Sequence, residues 1–248
     1  MGKQKKKYYV EGDDVKTIHG DFKVKEVMDV YSPYTFEKEQ AVIVETKDGM
    51  RKLRNSDIID EAVFREIDEC PSLLTEDGHK RFVALDFETM DTWRATVCSV
   101  GCVVFEDGQP TQEFYSLICP PSCYENEHCT EAHGLTYEDV KDSPTYEEVW
   151  PQIHEMIAGS PIVAHNKGFE KSCIEACADE FGTESEYEYI DTLRLSRHML
   201  PNLRKYPLDR VCNVFGVRLK NHHNALDDAR ACGEIFVKML EQMERYNG

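Results

Sequence analysis

Arg81-Phe82-Val83-Ala84-Leu85-Asp86-Phe87-Glu88 is an alternating stretch with an acidic end. In a strand successive side chains point to opposite faces, so Val83, Leu85 and Phe87 share one face and Ala84, Asp86 and Glu88 the other. Two acids then sit side by side on a half-buried surface. Like charges held that closely raise each other's pKa and cost stability unless a cation neutralises them, and a divalent metal ion is the natural one.

Two later segments add to the same chemistry. Residues 161–165 read as an apolar strand that turns through Asn166 and Gly168 into a helix starting near Phe169 and stopping at Gly182, which puts Glu170 in the first helical turn. His223 precedes a helix that begins near Asn224 and carries Asp227 and Asp228 in its first turn, where the helix dipole favours anions. Positions five apart on a helix diverge by roughly 140°. A histidine on the incoming loop, by contrast, folds back beside Asp228 and takes a proton from a water. That spacing selects Asp228; Asp227 reads as a dipole-complementing helix residue, and His222 is equally bland.

The ordered set resembles the DEDDh exonucleases, relatives of the proofreading subunit of bacterial DNA polymerase III and of RNase T. The family's Asp-x-Glu strand, its later acid after a His-Asn turn and its His-x-x-x-x-Asp are matched by Asp86 with Glu88, by Glu170 after His165-Asn166, and by His223 with Asp228. Between them, His133-Gly134-Leu135-Thr136 looks like the family's His-Gly-Ile-Thr turn and Asp191-Thr192 like its strand-end Asp-Thr. The resemblance covers about residues 80–246. It implies an α/β fold of the ribonuclease H-like kind, a mixed sheet with flanking helices. It also implies a 3′-to-5′ exonuclease acting on nucleic acid, DNA favoured, at single-stranded or frayed 3′ ends.

In that reading Asp86, Glu88, Glu170 and Asp228 hold two divalent ions, Mg²⁺ or Mn²⁺, typically about 4 Å apart, and His223 is the general base. Glu170 is the one departure, because the family has Asp there. The extra methylene moves the carboxylate by more than about 1 Å, and Mg²⁺ tolerates little departure from octahedral geometry. Either Mn²⁺ then serves better than Mg²⁺, or the helix sits farther back and absorbs the difference. The competing class is a catalytically weakened nucleic-acid-binding or adaptor protein that keeps the fold, and the retained His223 and Asp228 favour the enzyme.

Around this set, Met90 and Trp93 offer apolar side chains that stack on a terminal base, with core packing the equal competitor. His165 and Asn166 offer substrate contacts, though a strand-end turn needs such residues anyway. Asp191 reads as an outer-shell metal residue or a helix N-cap, and His133 as a structural turn residue.

At 248 residues and 41% hydrophobic, the chain is long enough to bury a full α/β core with a further module to spare. No apolar run approaches the roughly 20 residues that span a bilayer, so no membrane is expected. Lys3, Lys5, Lys6 and Lys7 lack the apolar stretch that makes a secretory signal. Ten cysteines without such a signal argue for reduced thiols in a cytoplasmic setting. Cys119, Cys123, His128 and Cys129 lack the paired spacing of a zinc site. The net charge of −18 is unusual for a nucleic-acid enzyme, but it is unevenly spread. Residues 112–150 hold nine acids and one lysine, whereas residues 191–220 hold seven bases against two acids.

Three parts are expected: a small β-rich module of residues 1–70, a linker at 71–79, and the exonuclease domain at 80–248. In the first, residues 22–31, 40–46 and 50–54 read as strands and 56–68 as an amphipathic helix, with a barrel one way to close them. Such a module binds nucleic acid, binds a protein partner, or covers an edge of the larger domain. In the third, a hairpin of residues 95–105 and 112–119 turns at Asp107-Gly108, and a helix from Tyr146 has a capping box in Thr145 and Glu148.

Overall fold

The computed structural model describes residues 9, 11–17, 20–31, 38–54, 67, 70–200 and 203–247. They divide into two compact units, with boundaries after residues 65, 194, 204 and 241. The N-terminal strands lie in the first unit. The second, 66–194 with 205–241, contains every residue of the expected site.

The N-terminal sheet is an antiparallel meander of β1 (Asp14–Thr17), β2 (Gly20–Tyr31), β3 (Lys38–Thr46) and β4 (Gly49–Arg54), in that spatial order. Alternate residues Val24, Val42, Val44 and Leu53 build a core of their own with Val15 and Tyr9. The described residues pair in an open sheet rather than a barrel, with β1 and β4 at its two edges. β1 has no counterpart in the sequence reading, because four residues with one buried apolar side chain, Val15, carry too little pattern. The helix expected over residues 56–68 lies outside the described residues apart from Ile67.

From residue 81 on the elements run β5 (Arg81–Thr89), β6 (Val97–Glu106), β7 (Gln109–Leu117), α1 (Glu127–His133), α2 (Tyr137–Val140), α3 (Tyr146–Ile157), β8 (Ile162–Ala164), α4 (Gly168–Phe181), β9 (Tyr189–Asp191), α5 (Thr192–Met199), α6 (Leu208–Phe215) and α7 (Ala225–Asn247). The strand order is β7-β6-β5-β8-β9, antiparallel from β7 to β5 and parallel from β5 to β9. This is the mixed, ribonuclease H-like sheet with flanking helices.

β5 sits in the middle and is covered on both faces. Val83, Leu85 and Phe87 pack with Tyr146, Trp150, Ile153 and Ile157 of α3 and Ile174 and Cys177 of α4. On the opposite face Phe82 meets the ring of Phe236 on α7 edge-on at 4.9 Å. The period-2 alternation of β5 therefore sorts its apolar residues between two helical layers and delivers Asp86 and Glu88 to the α7 side. α3 has the expected capping box, the Thr145 N–H donating to Glu148 Oε2 at 2.8 Å. Its far end is closed by Arg81 of β5, whose guanidinium donates to the carbonyls of Met156 at 2.7 Å and Ile157 at 2.9 Å.

The expected linker is a correction. Residues 71–73 form a short 3-10 turn with Leu73 buried, and Ser72 Oγ and Cys70 Sγ both donate to Glu188 Oε2, at 2.5 and 3.1 Å. Leu74 bridges Lys80, and the His79 N–H donates to Thr75 Oγ1 at 3.0 Å. Pro71 and Gly78 mark tight turns stitched onto the second unit rather than an exposed tether. Their partner, Glu188, lies too far along the chain for composition to reveal it.

Candidate active site

Parallel strands β5, β8 and β9 end on the same edge of the sheet, the place where open α/β sheets bind ligands. Each strand end contributes polar groups: Asp86 and Glu88 from β5, the turn at residues 165–168 from β8, and Asp191 from β9. The carboxylates of Asp86, Glu88 and Asp228 each bring an oxygen to within 4.8 Å of the others. Two of the three segments, residues 86–88 and residue 228, thus meet within one cluster, and the charge of Glu170 from the third is felt at Asp86.

Helical periodicity decides which acids arrive. On α4, Glu170, Cys173, Ile174 and Cys177 form one buried stripe, so Glu170 lies on the core face and is only 2% exposed. On α7, Ala225, Asp228, Ala229 and Cys232 form the equivalent stripe, and Asp228 is 4% exposed. Asp227 points elsewhere. It accepts from Asn221 Nδ2 at 2.6 Å, and its N–H is capped by Asn224 Oδ1 at 3.2 Å.

α7 reaches the sheet through a residue that the sequence reading passed over. Gly101 of β6 stands opposite Asp86 in the ladder, and a Cβ there would lie 2.1 Å from the carbonyl oxygen of Ala225. Only glycine allows the first turn of α7 to sit against β6, which brings Asp228 to Asp86 and Glu88. A lone glycine within the apolar strand Val97–Glu106 was the available signal. Farther along α7, Phe105 covers Gly233 in the same manner.

Electrostatics report a site crowded with negative charge. Burial pushes Asp86 well above the usual carboxylate range, and the charges of Glu170, Glu88 and Asp228 add to it. Glu88 is pushed up to about 8 by burial and then by Asp228. Glu170 is also pushed up to about 8, chiefly by burial. Asp228 rises to about 6 by burial, restrained by the His223 N–H that donates to its Oδ2 at 2.8 Å. Among the described residues, Glu170 Oε2 and Asp228 Oδ1 are buried with no hydrogen-bond partner. Orphaned anionic oxygens in an all-carboxylate cluster fit a hard divalent cation, so the residues present suit the group that the fold implies.

His223 lies on the loop before α7, as expected, with a left-handed backbone at φ 67°. Its ring stacks on His222, with centroids 4.0 Å apart. Burial and the neighbouring His222 lower its pKa, which keeps the ring neutral near pH 7 and able to accept a proton.

The remaining assignments separate. Met90 is fully buried among Cys98, Val140, Leu117 and Leu135, so it is core and not a stacking surface. His165 is also corrected, because both its ring nitrogens are used inside the protein, Nδ1 with Thr192 Oγ1 at 2.9 Å and Nε2 with the Tyr206 carbonyl at 2.7 Å. Trp93 is 45% exposed, and Asn166 is exposed on a left-handed turn at φ 87°. Asp191 Oδ1 accepts from the N–H groups of Asn166, Leu193 and Arg194, which makes it the cap of α5 and a tie between the ends of β8 and β9. His133 accepts from the Leu135 N–H on Nδ1 and therefore donates from Nε2 to the Thr89 carbonyl, holding a turn. Arg94, which belongs to no sequence motif, holds its guanidinium 4.3 Å over the ring of Phe169, and its charge acts on Glu170.

Buried carboxylates and a loop histidine at the carboxyl ends of parallel strands in this sheet define a nuclease of the ribonuclease H-like class. The sequence profile of the RNase T-type exonuclease family matches residues 83–236, and the chain belongs to that family. The family generally uses divalent metals. A PolC-type DNA polymerase III of Caldanaerobacter subterraneus is 35% identical over 165 residues, which are 66% of this chain and 12% of that protein. The DNA polymerase III subunit epsilon of Aquifex aeolicus is 30% identical over 165 residues, covering 65% of this chain and 81% of the subunit. Exonuclease X in complex with 5′ overhanging duplex DNA has the same fold, with a TM-score of 0.55 and 22% identity over 66% of this chain and 92% of that one. No helix among the described residues is long and apolar enough to cross a membrane.

Proposed function

We propose that the chain removes nucleotides from the 3′ ends of single-stranded or frayed nucleic acid, DNA favoured, with two divalent ions, Mg²⁺ or Mn²⁺, held by Asp86, Glu88, Glu170 and Asp228. The carrying observation is that the carboxylates of Asp86, Glu88 and Asp228 share a space of 4.8 Å while Glu170 Oε2 and Asp228 Oδ1 lie buried without partners among the described residues. Such a cluster is costly unless cations fill it. Bound there, the ions supply a more acidic water and neutralise charge on the phosphodiester and the departing 3′ oxygen. His223 accepts the proton of the attacking water, and the bond from its backbone N–H to Asp228 Oδ2 holds its main chain beside the cluster.

Glu170 serves as a full ligand in this reading. Its place on the buried stripe of α4 and the charge it directs at Asp86 support a site that has absorbed the extra methylene. Trp93 and Asn166 are the exposed candidates for contact with the terminal nucleotide. Lys205, Arg210, Arg218 and Lys220 are exposed in the same unit and offer cations to the nucleic-acid backbone. The N-terminal sheet, with its own core, is read as a separate module that meets a protein or nucleic-acid partner. Ten free thiols suit a cytoplasmic setting.

The test uses the purified chain with Mg²⁺ or Mn²⁺ on DNA and RNA strands labelled at either end. The expected result is metal-dependent release of mononucleotides from the 3′ end, faster on DNA, with Glu170→Gln slower by roughly 10²-fold or more. Shortening from the 5′ end only would refute the polarity, and wild-type turnover in Glu170→Gln would remove Glu170 from the ligand set.

A further inference from the structure

His222 touches no reacting group in the exonuclease reading, where it only stacks on His223 and helps keep that ring neutral, yet it is placed as a ligand. One ligand atom each from His222, His223 and Asp228 lies within 4.8 Å of the others, and the two imidazoles are stacked with their planes 15° apart. This group differs in chemistry from its neighbour. Asp86, Glu88 and Asp228 offer oxygen alone, which suits hard ions, whereas two imidazoles and one carboxylate are the donors of a zinc site that keeps an open fourth position.

Asp228 belongs to both groups. One of its oxygens is engaged by the His223 N–H, and the other, Oδ1, is buried and without a partner among the described residues. Both histidines are exposed, so their rings are able to turn. Zn–N bonds of about 2.0–2.1 Å at tetrahedral angles need two nitrogens about 3.4 Å apart with converging lone pairs, so one ring has to turn out of the stack, a movement open to two exposed side chains.

We propose that His222, His223 and Asp228 form an inhibitory site for Zn²⁺ or a similar borderline transition-metal ion. The proposal rests on the assignment of His223 as the general base. An ion bound to the imidazole lone pair leaves nothing to accept the proton of the attacking water, and it draws Asp228 away from the hard-metal cluster. Zinc then switches the nuclease off, although the bulk of its carboxylate site is built for other ions.

His222 separates this idea from simple replacement of Mg²⁺ or Mn²⁺ by zinc. The full chain, stripped of metal, is titrated with Zn²⁺ against a chromogenic chelator, and with Co²⁺ while visible absorption is recorded. In parallel, Mn²⁺-supported cleavage is measured against added Zn²⁺. His222→Ala is expected to bind Zn²⁺ at least about tenfold more weakly and to need at least about tenfold more Zn²⁺ for half inhibition. Its zinc-free activity is expected to match wild type at about pH 8, where His223 is neutral with or without the neighbouring ring, and His222→Cys, which supplies a thiolate, is expected to restore zinc binding. Equal zinc affinity and equal inhibition in wild type and His222→Ala would overturn the proposal, as would a wild-type chain that binds no zinc outside the carboxylate cluster. Absence of Mn²⁺-dependent cleavage in the wild type would instead overturn the exonuclease reading, while the chelator titration still decides whether the zinc site exists.

Discussion

The two sides of the site are built by different means. Asp86 and Glu88 stand on β5, a central strand paired on both sides, and the ladder fixes where each points. Asp228 comes from the first turn of α7, whose seat on the sheet depends on the missing side chain of Gly101, and His223 from the lead-in loop, where its own backbone is left-handed. The first side inherits its geometry from strand periodicity. The second is held by one close backbone approach, so small changes there reach the chemistry more readily.

Gly101→Ala is the strongest test of that contrast. A methyl group 2.1 Å from the Ala225 carbonyl forces α7 away from β6. The expected cost is about 3 kcal/mol, a fall in melting temperature of roughly 10 °C, together with loss of Mn²⁺ binding and cleavage. A variant as stable and active as wild type in calorimetry and in the cleavage assay would mean that the seat is not tight and the contrast is wrong.

His223→Ala asks less of the fold, because the ring is exposed and its link to Asp228 runs through the backbone. kcat is expected to drop by roughly 10² to 10⁴, with Mn²⁺ affinity close to wild type by calorimetry. Unchanged kcat would remove His223 from the mechanism and leave the α7 side with Asp228 alone.

The smallest expected effect sharpens the view that both sides converge on an unneutralised charge. Glu88 and Glu170 are pushed up to about 8 in the folded chain, against about 4.3 for an ordinary glutamate. Between pH 6.5 and 8 the folded state therefore holds protons that the unfolded state has already lost. Metal-free stability must fall as pH rises through that window, by about 1 kcal/mol per pH unit for each of the two groups. His133 and His223, whose pKa values are lowered by burial, act in the opposite sense but only below about pH 6.5. The melting temperature in chelator is thus expected to drop by several degrees and up to roughly 10 °C from about pH 6.5 to 8, and saturating Mn²⁺ to abolish the drop. A metal-free melting temperature that rises over this range would show that the carboxylates are not buried together.

Legibility followed the same division. The β5 alternation, the hairpin turn at Asp107-Gly108, the capping box of α3 and the helix starts after Asn166 and Asn224 are local patterns, and each appears near its expected position. Met90 and His165 were ambiguous because side chains beside a site and side chains beneath it look alike in sequence. Their burial and ring partners decided them. Residues 71–79 looked like a linker because Pro and Gly signal turns without saying what the turns pack against. Gly101 was visible as an anomaly in an apolar strand, but the backbone it accommodates lies more than a hundred residues later in the chain.

The sequence by itself determined which acids share a strand face, that Glu170 and Asp228 fall in the first turns of their helices, and that His223 and Asp228, five apart, cannot converge from one continuous helix, because these follow from local turn signals and the 2.0 and 3.6 periods of the backbone. Only the tertiary structure decided that these stripes meet at one edge of one sheet, that Gly101 lets α7 approach closely enough to deliver Asp228, and that His222 joins His223 at the same carboxylate. Periodicity fixes directions around an element. Distances between elements depend on which backbones pack in contact, and no local pattern carries that information.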